Sequence, residues 1–271
     1  MTATRQTRKR RRPPPPDWDL PVLSAMGLKP SQQRLLAVIG SVAGVVVAAV
    51  VLTVVIASLG ADSIPDRPQA ATDVHATRPQ IFHGWSSPKE FAPMADRAKD
   101  AKPLTVKEIF GTKTLAGESK LSLKLVARTV EADCSLALWG EELLTQVAEA
   151  GCSQAARGIY TSADGRYVAQ YTLLNLADGK AADGLVASLK TMYRGGWALP
   201  VATRGATFTP GGYSEAGAYA MGHYVGLVWV ARTDGAEPQP KDDFVNVALT
   251  VRGAEKPLYR RVVTLTGPSP S

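Results

Sequence analysis

Residues 159–178 read IYTSADGRYVAQYTLLNLAD, and the pattern inside this stretch sets the fold class. Asp164-Gly165 suits the positive φ angles of a tight turn. It is flanked by residues 159–161 and 167–176, rich in side chains that favour a pleated surface, so the segment reads as a β-hairpin. Asp178 is a good helix cap, and the helix it opens carries Ala182, Leu185, Leu189, Met192 and Tyr193 on one stripe before Gly195-Gly196 stops it. Working back from the hairpin, Leu143, Leu144, Val147 and Ala150 lie on one helix face ended by Gly151, and Leu121, Leu123 and Leu125 alternate with Ser122 and Lys124 as in a half-buried strand. Working forward, residues 197–212 are irregular and Gly-rich. Residues 217–232 then read as one strand bent at Gly222, and Asp242 or Asp243 caps a third helix through Phe244, Val247, Ala248 and Val251. The order strand, helix, strand, strand, helix, strand predicts an α+β fold. Its expected form is a ferredoxin-like split βαβ sandwich with an extra C-terminal helix, over residues 104–267.

The chain has two cysteines, Cys134 and Cys152. A helix filling the whole interval would hold their Cα atoms roughly 27 Å apart, far beyond the ~7 Å that a disulfide tolerates. Gly140 followed by Glu141 and Glu142 offers a later start, a permissive cap with two acids in the positive first turn. A helix confined to residues 141–150 is about 15 Å long and can be retraced by the six residues before it. An intrachain bridge is the expectation, with two buried thiols or an interchain bond as the alternatives. A redox role is not expected, since no CxxC is present and nothing basic adjoins either sulfur.

Residues 35–59 carry no charge and include nine valines, between Arg34 and Asp62. As a helix they extend roughly 37 Å, enough to cross a hydrocarbon core of about 30 Å with some tilt. Residues 1–34 hold eight basic side chains against Asp17 and Asp19, so most of the net charge of +7 lies before this span. Basic flanks stay cytoplasmic, which places the N-terminus inside and the C-terminal domain outside the cell membrane. A cleaved signal peptide is the rival reading, with Ser58-Leu59-Gly60 as small residues for processing, but a 25-residue core is long for that role. The first 34 residues, interrupted by Pro13 to Pro16, read as a disordered tail. Its basic run suits topology, and its tetraproline would suit docking a cytoplasmic partner. Gly40 and Gly44 form a GxxxG along which two spans can pack as a homodimer, although this spacing also arises by chance in an Ala- and Val-rich helix. Residues 60–103 are Pro-rich and read as an extracytoplasmic stalk, whose cluster Ile81, Phe82, Trp85 and Phe91 is aromatic enough to pack on the domain that follows.

Beyond the span the charges nearly cancel, so the outer domain has no electrostatic footprint for nucleic acid. No HExxH, GxSxG, Walker loop or spaced Cys/His set occurs, and no catalytic, cofactor or metal residue is assigned. The best candidate for a ligand or interaction site is His223 with Tyr224, before an apolar run, where an imidazole facing a groove is weighed against a hydrogen-bonded structural histidine. Glu141 and Glu142 do not converge and suit capping; Arg260-Arg261 reads as a solvated face. Taken together, Cys134, Trp139-Gly140-Glu141, Gly151-Cys152, Asn175-Leu176-Ala177-Asp178, Gly222-His223-Tyr224 with Trp229, and Pro257-Leu258-Tyr259-Arg260 resemble a group of uncharacterised single-pass envelope proteins of high-GC actinobacteria. The resemblance covers about residues 104–265 and implies an extracytoplasmic placement without implying an activity. The functional expectation is a membrane-anchored, non-catalytic extracytoplasmic domain that binds a protein partner or cell-envelope component. An extracytoplasmic small-ligand sensor signalling through the span is the alternative, with an enzyme behind both.

Overall fold

The computed structural model describes residues 77–267. The tail, the span at residues 35–59 and its Gly40/Gly44 stripe lie outside the described residues; among those described, no helix is long and apolar enough to cross a membrane. The hairpin forms as its residues dictate, with β5 Gln154–Ser162 and β6 Tyr167–Asn175 antiparallel. Gly165 takes φ +71°, and the Ser162 hydroxyl donates to Asp164 Oδ1 while accepting from the Tyr167 amide, which closes the turn. Asp178 caps α3 (Gly179–Met192) by accepting the Ala181 amide at 2.8 Å. α2 (Glu141–Glu149) starts after Gly140, whose φ of +99° few other residues adopt. Cys134 and Cys152 are bridged, with Cα atoms 6.2 Å apart.

The ferredoxin-like sandwich is not what these elements build. Among the described residues the sheet has seven strands, in the order β1 (Ile81–Trp85), β8 (Ser214–Met221), β9 (Tyr224–Arg232), β6, β5, β3 (Ser122–Glu131) and β2 (Thr114–Ala116), and three segments account for the difference. Residues 217–232 are not one bent strand, because Gly222 at φ +63° turns the chain back and makes a hairpin of β8 (Ser214–Met221) and β9 (Tyr224–Arg232). The aromatic cluster expected to pack on the domain enters its sheet: β1 (Ile81–Trp85) pairs parallel to β8 at one edge, while every other pairing in the sheet is antiparallel. At the other edge β2 (Thr114–Ala116) pairs with β3 (Ser122–Glu131). A separate two-stranded pair joins β4 (Leu138–Trp139) to β7 (Trp197–Ala198) beside the disulfide.

Helices cover both faces, which is why every residue of β6 is buried and the run does not alternate. One face packs on α2 and α3 through Leu143, Val147, Leu185 and Leu189 and on the irregular stretch, where Phe208 stacks on Trp229 at 3.8 Å. The other packs on α1 (Val106–Ile109), α4 (Phe244–Val251) and α5 (Lys256–Thr266), joined by short 3-10 segments at Lys89–Met94 and Arg252–Glu255. Asp243, not Asp242, caps α4 by accepting the Asn246 amide; Asp242 instead ties Arg232 to Tyr167. On this face α4 lies over β9, β6, β3 and β2, whereas α3 runs beneath β1, β8 and β9 on the opposite face. The coverage is therefore offset, and that offset shapes the candidate site.

Candidate functional site

His223 and Tyr224 form the tip of the β8–β9 hairpin and the start of β9, and neither has measurable exposure. The His223 amide donates to Met94 C=O and its carbonyl accepts from the Leu176 amide, so the turn is clamped from both sides. Its Nε2 lies 3.4 Å from Asp100 Oδ2, and the Tyr224 hydroxyl donates to the same oxygen at 2.9 Å. Arg261, expected on a solvated face, reaches in from α5. Its Nη1 donates to both Asp100 oxygens, to the Tyr224 hydroxyl and to Lys102 C=O, and its Nε and Nη2 grip Glu108 at 2.8 and 2.7 Å. Burial pushes the Asp100 carboxyl up, but the hydrogen bonds from His223, Tyr224 and Arg261 outweigh it and hold it below its ordinary value. Burial likewise raises the Tyr224 hydroxyl. The arrangement is a closed ionic latch that fastens residues 96–103, α1 and α5 to the hairpin tip. No groove opens at the imidazole, and Lys99, Arg260 and Thr264 mark a shallow outer depression that reaches Asp100 and Arg261 but not His223.

A concave apolar surface lies elsewhere, where the offset of α3 and α4 leaves the outer strands uncovered on one face. A groove of about 650 Å³ runs between the β1/β8 edge and α4. Its floor is buried and apolar, made by Gly217 and Met221 of β8, Val228 and Val230 of β9, and Phe244 of α4. Its rim carries exposed apolar side chains, Trp85 at 47%, Tyr259 46%, Val245 69% and Leu249 59%, beside the polar His83 and Ser86. The pairing register puts Trp85 beside Tyr219, and their rings stack at 4.4 Å, nearly parallel. The Arg252 guanidinium sits 3.7 Å from the Tyr219 ring centre, on the face Trp85 leaves free, and is held there by Glu255 through two 2.8 Å bonds. The stack leans over Gly217, where an added Cβ would come within 3.0 Å of both rings.

The groove's charged groups are already engaged, and its other polar side chains, His83, Ser86 and Tyr259, are exposed at the rim. Glu215 accepts from the Tyr213 hydroxyl, and Arg252 is neutralised by Glu255, a buried acid that desolvation raises above its ordinary pKa despite that partner. What the surface offers is apolar area with aromatic edges, in a volume typical of sites that enclose small molecules. Among the described residues no three His, Cys, Asp or Glu side chains converge to hold a metal ion. Of the groove, the sequence signalled only Trp85 and Phe91, through an aromatic density too high for a spacer. Val245 and Leu249, on the outer face of α4, are legible as a second apolar stripe once the inner stripe Phe244, Val247 and Val251 is assigned. No family model, curated protein or solved structure matches the chain.

Proposed function

We propose that this protein is a membrane-anchored, non-catalytic binding domain on the outer side of the membrane, and that it takes a protein partner or envelope component through the groove framed by Trp85, Tyr219 and α4. The carrying observation is the juxtaposition of Val245, Leu249, Trp85 and Tyr259, four large apolar side chains exposed around one concave apolar floor. Large exposed apolar patches with a recessed floor mark interaction or ligand sites on soluble domains. The membrane placement rests on residues 35–59 and the basic tail before them, and the resemblance to single-pass envelope proteins supports it. The groove's volume, about 650 Å³, favours one second reading, the small-ligand sensor, because it lies within the range that encloses a drug-sized molecule.

The test is cross-linking in intact cells followed by purification of the full chain, in the wild type and in Leu249→Glu. A charge at this exposed helix position is compatible with folding but not with an apolar partner in the groove. The same envelope component should be recovered with the wild type and lost with the variant; equal recovery from both would overturn the reading.

A further inference from the structure

We infer that the occupant of the groove is the hydrocarbon chain of a membrane amphiphile. The inference deepens the reading above and rests on it for the membrane placement. Three observations select this chemistry. First, the groove's charged side chains are engaged, Arg252 being doubly bonded by Glu255 and stacked on Tyr219 and Glu215 accepting from Tyr213, while the remaining polar side chains, His83, Ser86 and Tyr259, stand exposed at the rim above an apolar floor. An extended peptide backbone laid on this floor would bury amides without partners, at a cost an acyl chain does not incur. Second, the β9 part of the floor is out of reach of a strand added at the open edge. Such a strand would lie three strand spacings from Val228 and Val230 on β9, roughly 14 Å away. Third, the two apolar features are near one another along the sequence. Residues 60–76 separate the end of the uncharged stretch from Thr77, at most about 60 Å of fully extended chain, and β1 follows almost at once. A rim of Trp85 and Tyr259, side chains with an apolar body and a polar tip, is what a surface meeting the headgroup boundary carries.

The experiment uses the full chain reconstituted in vesicles of equimolar phosphatidylethanolamine and phosphatidylglycerol, doped with a phosphatidylcholine bearing a diazirine at the end of one acyl chain. After irradiation, adducts are mapped by peptide mass spectrometry. Adducts should appear on residues 81–91 and 244–259 as well as on residues 35–59. Leu249→Glu should cut the groove adducts about tenfold while sparing those on the span. Leu136→Glu, at an exposed apolar side chain in the 3-10 segment by the disulfide, serves as the folded control and should leave both sets unchanged. Adducts on residues 35–59 alone would overturn the hydrocarbon assignment and leave the groove to a protein helix or a second copy, as would groove adducts indifferent to Leu249→Glu. Groove adducts without span adducts would uphold the hydrocarbon site and overturn the anchor, and adducts at neither would overturn both.

Discussion

Replacing Arg261 by Met removes one guanidinium that serves two carboxylates, Asp100 and Glu108, both mostly buried. The methionine keeps most of the volume, so packing changes little. What remains is a pair of inward-facing acids, of which Asp100 keeps only His223 and Tyr224. Breaking a buried ion pair by deleting one partner costs about 3–5 kcal/mol, and for a domain of this size each kcal/mol moves the melting temperature by ~2–4 °C, so the full chain should melt roughly 6–20 °C lower. The pH dependence carries the sharper signature. In the wild type Asp100 is held below its ordinary value, so its contribution is complete at neutral pH and is lost only as pH falls through that depressed value. In Arg261→Met the stranded Asp100 takes up a proton more readily, and its penalty is relieved on acidification. The gap between the two proteins should therefore narrow from pH 7 toward pH 4, and Asp100→Asn with Glu108→Gln added to the variant should recover roughly half of the loss. Thermal unfolding followed by near-UV circular dichroism reads both effects. A shift below about 2 °C, the range of an ordinary surface substitution, would refute the latch, as would a gap independent of pH.

Substituting both Cys134 and Cys152 by Ser should destabilise the protein by about 3 kcal/mol, chiefly by freeing the unfolded chain, and titration of unreduced, denatured wild type should find no reactive thiol. Gly217→Val should force the Trp85–Tyr219 stack off the strand, seen as a changed Trp85 emission relative to a Trp85→Phe reference, with stability lowered by about 1–3 kcal/mol; an unchanged emission would contradict the packing described. Glu255 is raised above its ordinary value, so its contribution is complete at low pH and is lost as pH climbs past the usual glutamate value. The stability of the wild type relative to Glu255→Gln should accordingly fall between pH 4 and pH 7, and a difference that grows over that range would contradict the assignment.

What was legible in the sequence is what is decided within a few residues. The Asp164-Gly165 turn, the Asp178 cap, a cap at Asp242 or Asp243 and the Gly140 start of α2 each follow from a local backbone requirement, and helix length shows that a Cys134–Cys152 bridge is possible. The β8–β9 turn was hidden because Gly222-His223 lacks the usual Asn-Gly or Asp-Gly signature. A 16-residue run is long for a strand, however, and that length was the available sign of a hairpin. The pairing of β1 with β8 joins residues about 130 apart through Pro-rich flanks, and no local pattern announces a parallel edge strand. Arg261 looks like half of a solvated pair, since its partner Asp100 lies 161 residues away. His223 and Tyr224 were recognisable as unusual, but whether an imidazole faces a groove or an aspartate depends on which segment folds over it. The groove itself arises from the unequal reach of α3 and α4 across the sheet, a property of packing that no stretch of sequence contains.

A groove occupied where the protein works would be shielded there from solvent-borne reagents. Hydroxyl-radical footprinting of the full chain, compared between native membranes and the purified, delipidated protein, tests this without assuming the occupant. Trp85, Val245 and Leu249 should be oxidised readily in the purified protein and be protected in membranes, while Leu136, equally exposed but near the disulfide, should be oxidised alike in both. Equal oxidation of Trp85, Val245 and Leu249 in the two preparations, with Leu136 unchanged, would contradict the account.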